Sequence, residues 1–182
     1  MLITQQQLLH ILPNARSQAG VFVSALNTSM QHYQIVGPKR GAAFIAQIGH
    51  ESGQLRYVRE IWGPTVAQRE YEGRADLGNT VPGDGRKFCG RGLIQITGRA
   101  NYAKCGEALG LDLINHPELL ELPQYATMSA AWWWATHGLN TLADAGDNAN
   151  IGSIINTGRR GRVPNGADDR AALYARALKV LA

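Results

Sequence analysis

A chain of 182 residues with 45% apolar and 18% charged residues is long enough for one buried core, and its composition excludes a disordered or low-complexity protein. The net charge of +4 is compatible with nucleic acid, an anionic membrane or an acidic cell wall, so its sign selects no partner by itself. Two cysteines, Cys89 and Cys105, are too few for a disulfide framework and read as free thiols.

Thr4 and Gln7 form a capping box ahead of Leu8, Leu9, Ile11 and Leu12, so the chain opens on a helix that stops at Pro13-Asn14. This start has no charged n-region and only a short apolar run, so the expectation is synthesis in the cytosol without an export signal. No transmembrane span is read from the sequence. Phe22, Leu26, Met30 and Tyr33 mark a second helix, broken at Gly37-Pro38. A third runs from about Lys39 to Ser52 on the stripe Phe44, Ile45 and Ile48, with Gly53 as its cap. Alternation from Leu55 to Ile61 predicts extended chain, and Thr65 to Tyr71 a short helix. Residues 72–90 carry Gly78-Asn79 and Pro82-Gly83-Asp84-Gly85 and read as a long ordered loop.

Leu93 to Thr97 is the strand candidate, followed by a helix from Arg99 to Leu109 that ends at Gly110. Pro117 opens a short helix through Leu122. The segment from Tyr125 to Thr136 is apolar on nearly all sides, so Trp132, Trp133 and Trp134 read mainly as core. Helices from Asn148 to Ile155 and from Ala167 to Leu181 flank a basic loop, Arg159 to Gly166. Without an internal repeat or linker, the chain reads as a single domain over residues 1–182, mainly α, with a small β element near its middle.

Glu51 lies three positions after Ile48 and seven after Phe44, at the C-terminal end of an apolar helix face. Burial there disfavours the charged carboxylate and suits it to the role of general acid; the plainer reading is a half-exposed glutamate paired with Arg56. Glu60 is a second carboxylate that a sharp turn can bring across a groove, or else the salt-bridge partner of Arg56 or Arg59. Two carboxyl groups flanking a bond are the requirement for glycoside hydrolysis, at about 6.5–9.5 Å in inverting enzymes. Gln95 and Thr97 share one face of the predicted strand, where they can meet sugar hydroxyls and a water or form a solvated edge. Asn101 and Tyr102 can donate to a sugar or cap their helix. His50 next to Glu51 is followed by no histidine at metal-ligand spacing, so no metal or other cofactor is expected. Gly90-Arg91-Gly92 is too short to mark a phosphate-binding loop.

The runs GAAFIAQIGHESGQLRYVRE, YEGRADLGNTVPGDG and GRGLIQITGRANY resemble the family 19 glycoside hydrolases, the chitinase-like enzymes, and within them the endolysins of phages and prophages. INTG near Ile155, DRAALY near Asp169 and the N-terminal ITQQQLLHILPNA extend the resemblance over nearly the whole chain. It implies a lysozyme-like, two-lobed fold with a small β element lining the cleft, and an inverting mechanism. By that resemblance Glu51 is the acid, Glu60 the base and Thr97 the residue that positions water. Gln95, Asn101 and Asn156 fall on sugar-contacting positions, and Arg170 on the charged network around the acid. The gap between the two glutamates is shorter than in the plant members, whose disulfide cysteines are also missing. The open cleft this implies favours a peptide-bearing glycan. The expected partner is therefore a peptidoglycan glycan strand, cut between N-acetylmuramic acid and N-acetylglucosamine by a monomer released across the inner membrane. Neither nucleic acid nor a stable membrane association is expected. Chitinase activity, a lytic transglycosylase and a non-catalytic wall- or nucleic-acid-binding module are the alternatives.

Overall fold

The computed structural model describes residues 2–182. It is built from helices α1 (Gln5–Ile11), α2 (Gln18–His32), α3 (Pro38–Glu51), α4 (Val66–Arg69), α5 (Asp84–Lys87), α6 (Arg99–Leu109), α7 (Pro123–Thr136), α8 (Leu139–Asp144), α9 (Asn148–Thr157) and α10 (Ala167–Leu181). Short 3-10 turns occupy Pro13–Ala15, Ala75–Leu77 and Pro117–Glu121.

Local sequence signals explain most boundaries. Thr4 Oγ1 accepts from Gln7 N while the Gln7 side chain accepts from Thr4 N, the reciprocal bonds of a capping box. Thr65 and Gln68 repeat that arrangement at α4. Proline opens α3 and α7 in the first turn, where its missing N–H is no loss, and Gly110 ends α6 in the left-handed region. The helix α8 was not foreseen; it starts from left-handed Gly138 and is only six residues long.

Two hydrophobic clusters form. The larger joins α1, α2, α3, α7 and α10 around Phe44, Trp134, Leu26 and Leu173. The smaller gathers Phe88, Ile96, Tyr102, Cys105, Leu113 and Leu120 against another face of α7, through Tyr125, Trp132 and Trp133. Two cores bridged by one apolar helix are in keeping with two lobes. In α3 every residue from Gly41 to Gly49 is buried, because α10 packs along it and α8 and α9 add further cover. A Cβ on Gly49 would meet Leu12 Cδ2 at 2.5 Å, so glycine is what lets α1 approach.

The β element is not formed as a strand. Among the described residues there are only two isolated antiparallel bridges, Arg59 with Arg91 and Arg91 with Ile96. Leu93 to Thr97 is a tight turn that begins at Gly92 (φ +84°) and closes where Arg91 and Ile96 exchange backbone hydrogen bonds of 3.1 and 2.7 Å. Leu93, Ile94 and Ile96 are all buried, so the apparent alternation came from side chains packed into two different cores. The extended reading of Leu55 to Ile61 also fails at its start. Gly53, Gln54 and Leu55 are consecutive residues with positive φ, stabilised by Ser52 Oγ accepting from Leu55 N at 2.8 Å. This left-handed turn reverses the chain as it leaves α3. Cys89 and Cys105 are free, buried thiols, and burial pushes Cys105 up to about 12.

Candidate active site

Helix α3 delivers Glu51 at its last residue, where the apolar face gives way to solvent. The Glu51 side chain is 20% exposed, and its Oε1 accepts from Arg170 Nη2 of α10. It does not pair with Arg56. Arg170 is almost fully buried, which is possible because each of its three nitrogens donates to an acceptor. Its Nη1 donates to Gln47 Oε1 at 2.6 Å and its Nε to the Asn165 carbonyl at 3.0 Å. Gln47 lies one turn before Glu51, so α3 itself supplies two of the three acceptors. The other amide end of Gln47 donates to Asn148 Oδ1 at 3.1 Å, tying α9 into the network. A parallel contact joins His50 Nδ1 and Asp169 Oδ2 at 2.6 Å.

Arg170 therefore orients Glu51 from behind. Asn156 is exposed at the end of α9, and its Oδ1 accepts from Asn165 N at 3.0 Å. It borders the same network through Asn165.

Glu60 is held in another way. Its Oε1 accepts from Gly90 N at 2.5 Å and its Oε2 from Gln68 Nε2 at 3.0 Å, while its own N–H donates to the Gly90 carbonyl at 2.9 Å. Neither Arg56 nor Arg59 pairs with it; Arg59 lies 3.6 Å from Glu121 instead. Gly90 is the hinge of this arrangement. A Cβ there would lie 2.4 Å from Gln95 Oε1 and 3.2 Å from Thr97 Oγ1, so Gln95 and Thr97 both rest against it. The two polar side chains converge beside Glu60 through a turn over a glycine, not through a shared strand face. Thr97 Oγ1 donates to the Gln95 carbonyl at 3.1 Å, leaving its lone pairs free to accept from a water.

Gln95, Thr97 and Asn101 line a groove of about 490 Å³ together with Trp132, Trp133 and His137. Asn101 Nδ2 donates to the Thr97 carbonyl at 2.7 Å, so it braces the turn as well as lining the groove. The tryptophan run thus divides. Trp134 is fully buried against Phe44, at 5.3 Å between ring centres, whereas Trp132 and Trp133 reach the groove and Trp133 stacks on His137 at 3.7 Å. Successive positions on a helix point about 100° apart, and here the direction of Trp134 meets the larger core while those of Trp132 and Trp133 meet the groove.

Tyr102 needs correction for the same reason. It follows Asn101 on α6 and points inward, with no exposed surface. Its hydroxyl donates to the Cys89 carbonyl at 2.6 Å and accepts from Arg91 Nη1 at 2.9 Å, and burial raises its phenol well above the ordinary value. Tyr102 supports the 89–91 segment and meets no ligand. That segment is also fixed by Arg91 Nε donating to Glu121 at 2.7 Å. Outside it, Asp84 and Arg99 form a two-pronged pair at 2.6 and 2.7 Å, which holds the Asp84 carboxyl below the usual carboxylate range and anchors the 72–90 loop.

Residues 22–153 match the glycosyl hydrolase 19 family, described as chitinase class I. The chain belongs to this family. A family 19 domain-containing protein of Haemophilus influenzae is 30% identical, with 99% of this chain and 97% of that protein covered. An endochitinase of Arabidopsis thaliana is 35% identical over 138 residues, which is 73% of this chain and 49% of the relative. The chain thus spans about half the length of the plant endochitinases it matches. Among solved structures, a bacterial family 19 chitinase superposes with a TM-score of 0.76 at 25% identity, covering 100% of this chain and 95% of that one. Chitinase C of Streptomyces griseus HUT6037 has the same fold, with a TM-score of 0.74 at 23% identity, covering 98% of this chain and 76% of that one.

The residues that sequence reasoning passed over are Gln47, Gln68, Gly90 and Asn165. Gln47 had a visible signal, a polar residue one helical turn before Glu51 in an otherwise apolar run. Gly90 did not, because a requirement for missing Cβ shows only when Gln95 and Thr97 fold back over it.

Proposed function

We propose that the protein is a glycosidase that hydrolyses the glycan strands of bacterial peptidoglycan with inversion, cutting the β-1,4 bond between N-acetylmuramic acid and N-acetylglucosamine. The observation that carries this reading is the pair of glutamates held by different partners, Glu51 by a guanidinium and Glu60 by two amide donors. Glu51 gives its proton to the leaving oxygen, and the Arg170 guanidinium receives the charge that forms on it. The bonds of Arg170 to Gln47 and Asn165 do not involve Glu51, so they hold the guanidinium in place during the step. Glu60 removes a proton from a water that Thr97 helps hold, and that water attacks the opposite face of the anomeric carbon. Gln95, Asn101 and Asn156 orient the sugars.

The short connection from Glu51 to Glu60 and the net positive charge support an acidic, peptide-bearing glycan over neutral chitin. In this reading the protein is an endolysin-like monomer, active on the wall after release. Chitin hydrolysis on the same scaffold is the second reading, favoured by relatives named endochitinases.

Mass spectrometry of soluble fragments from isolated peptidoglycan tests the proposal, with NMR of the first product anomer. Hydrated reducing N-acetylmuramic ends and an inverted anomer are expected. Anhydro ends would replace hydrolysis by lytic transglycosylation, and cleavage of chitin oligosaccharides alone would establish the chitinase. A folded Glu51→Gln protein with undiminished activity would remove Glu51 from the mechanism.

A further inference from the structure

A second cavity lies outside the groove described above. It occupies about 580 Å³ between α9, the 158–166 loop and α10. Pro164, Ala167, Ala171 and Tyr174 give it an apolar lining, and Arg162 and Asn150 line it as well. Its size falls within the range of about 300–1,000 Å³ usual for ligand sites.

We infer that this cavity takes the acidic stem peptide carried by the wall glycan, an inference that rests on the substrate reading above. Three observations converge. First, the charge fits. Arg159, Arg160 and Arg162 are exposed on the loop, and among the described residues none has a carboxylate within 4.0 Å. The one acid lining the cavity, Asp147, is occupied as the cap of α9, accepting from Asn150 N at 3.2 Å and Asn150 Nδ2 at 2.8 Å. Neutral chitin offers these arginines no carboxylate, whereas stem peptides combine small apolar residues with free carboxylates.

Second, the loop is pre-formed. Ser153 Oγ donates to the Arg159 carbonyl at 2.6 Å and accepts from Arg162 N at 2.9 Å, and Gly161 N donates to Asn150 Oδ1 at 2.9 Å. A site already ordered loses little entropy on binding. Third, the cavity adjoins the reacting centre. Arg170 lines it and also holds Glu51, so one side chain separates cavity and carboxylate. An extended peptide covers about 3.3–3.6 Å per residue, so a stem of a few residues attached to a sugar near Glu51 spans that gap.

The test compares wild type, Arg162→Ala and Ala171→Trp on intact sacculi, on the same sacculi stripped of stem peptides by an amidase, and on chitin oligosaccharides. Both variants alter exposed positions away from the carboxylates, and a thermal melt checks that each is folded. The expected result is a loss of about tenfold in kcat/KM on intact sacculi, as for one charge-assisted hydrogen bond, and no change on stripped glycan. NMR titration of the wild type with a synthetic stem peptide should shift the Val163 and Ala171 amides. Equal losses on both glycans, or none on either, would overturn the inference. So would a stem peptide that binds no better than an oligonucleotide of equal charge. Wild type that cleaves chitin oligosaccharides and neither form of sacculi would instead remove the substrate reading, and the occupant with it.

Discussion

Replacing Arg170 by lysine keeps the charge and removes the fork, which makes it a sharp test of how the acid is held. Three acceptors converge on the guanidinium from Gln47, Glu51 and Asn165. A lysine ammonium is a single point and cannot reach along all three directions. If it follows Glu51, the fully buried Gln47 Oε1 loses its donor, at a cost of about 1–3 kcal/mol. The Asn165 carbonyl belongs to an exposed residue and finds water, so its loss is about 0.5–1.5 kcal/mol. The sum, about 1.5–4.5 kcal/mol, corresponds to a fall in Tm of roughly 3–18 °C for a chain of this size. The carboxylate also loses its fixed direction, and misplacement of about 1 Å can cost about 100-fold in rate. Differential scanning calorimetry and turnover of isolated peptidoglycan are the two assays. A Tm within about 1 °C of wild type together with unchanged kcat would refute the view that this fork positions Glu51.

Gly90→Ala should leave Tm within about 1 °C, since the clash is with the flexible end of Gln95, yet lower kcat/KM by tenfold or more by displacing Gln95 and Thr97 from Glu60; the two readouts together check it. Stability should fall at alkaline pH. Cys105 is raised to about 12 from an ordinary thiol value near 9, so between those values the unfolded chain has lost a proton the folded chain retains, and unfolding free energy drops by about 1.4 kcal/mol per pH unit; Cys105→Ala, followed by urea titration, should flatten that slope. Asp84 gives the opposite sign. Its lowered value means that its pair with Arg99 stabilises the fold above the ordinary carboxylate range and is lost as pH falls through it, so Asp84→Asn should weaken the acid dependence of Tm and increase proteolysis within residues 72–90.

Much of the helical framework was legible because its signals are local. The capping box at Thr4, the proline that opens α3 and the glycine that closes α6 each act within one turn of the boundary they set. What could not be read was anything decided by a second contact from far along the chain. Leu93 to Thr97 has the composition of a strand but no partner to pair with, and Gly92 turns it into a loop between two cores. Glu51 has the sequence context of a buried acid, yet a guanidinium 119 positions away reaches its carboxylate. Tyr102 and Asn101 are neighbours in sequence, and the helix sends one inward and the other out. Gln95 and Thr97 were paired for the wrong reason, since the feature that joins them is the missing Cβ of Gly90.

The two glutamates also depend on different parts of the chain. Glu60 is fixed by Gln68 and Gly90, within 30 residues, so its surroundings are assembled by the middle of the sequence alone. Glu51 is fixed only when α10 has docked on α3, because Arg170 belongs to α10 and lies beyond residues 22–153, where the family match ends. The last helix is therefore part of the site, although it contributes no side chain to the groove. Its docking orders Glu51, and through Asn165 it also fixes the end of the basic loop that closes the second cavity. One buried guanidinium thereby couples the position of the acid to the wall of the cavity assigned to the stem peptide. A peptide seated against that wall would bear on the residue that orients the acid, and a neutral glycan would not.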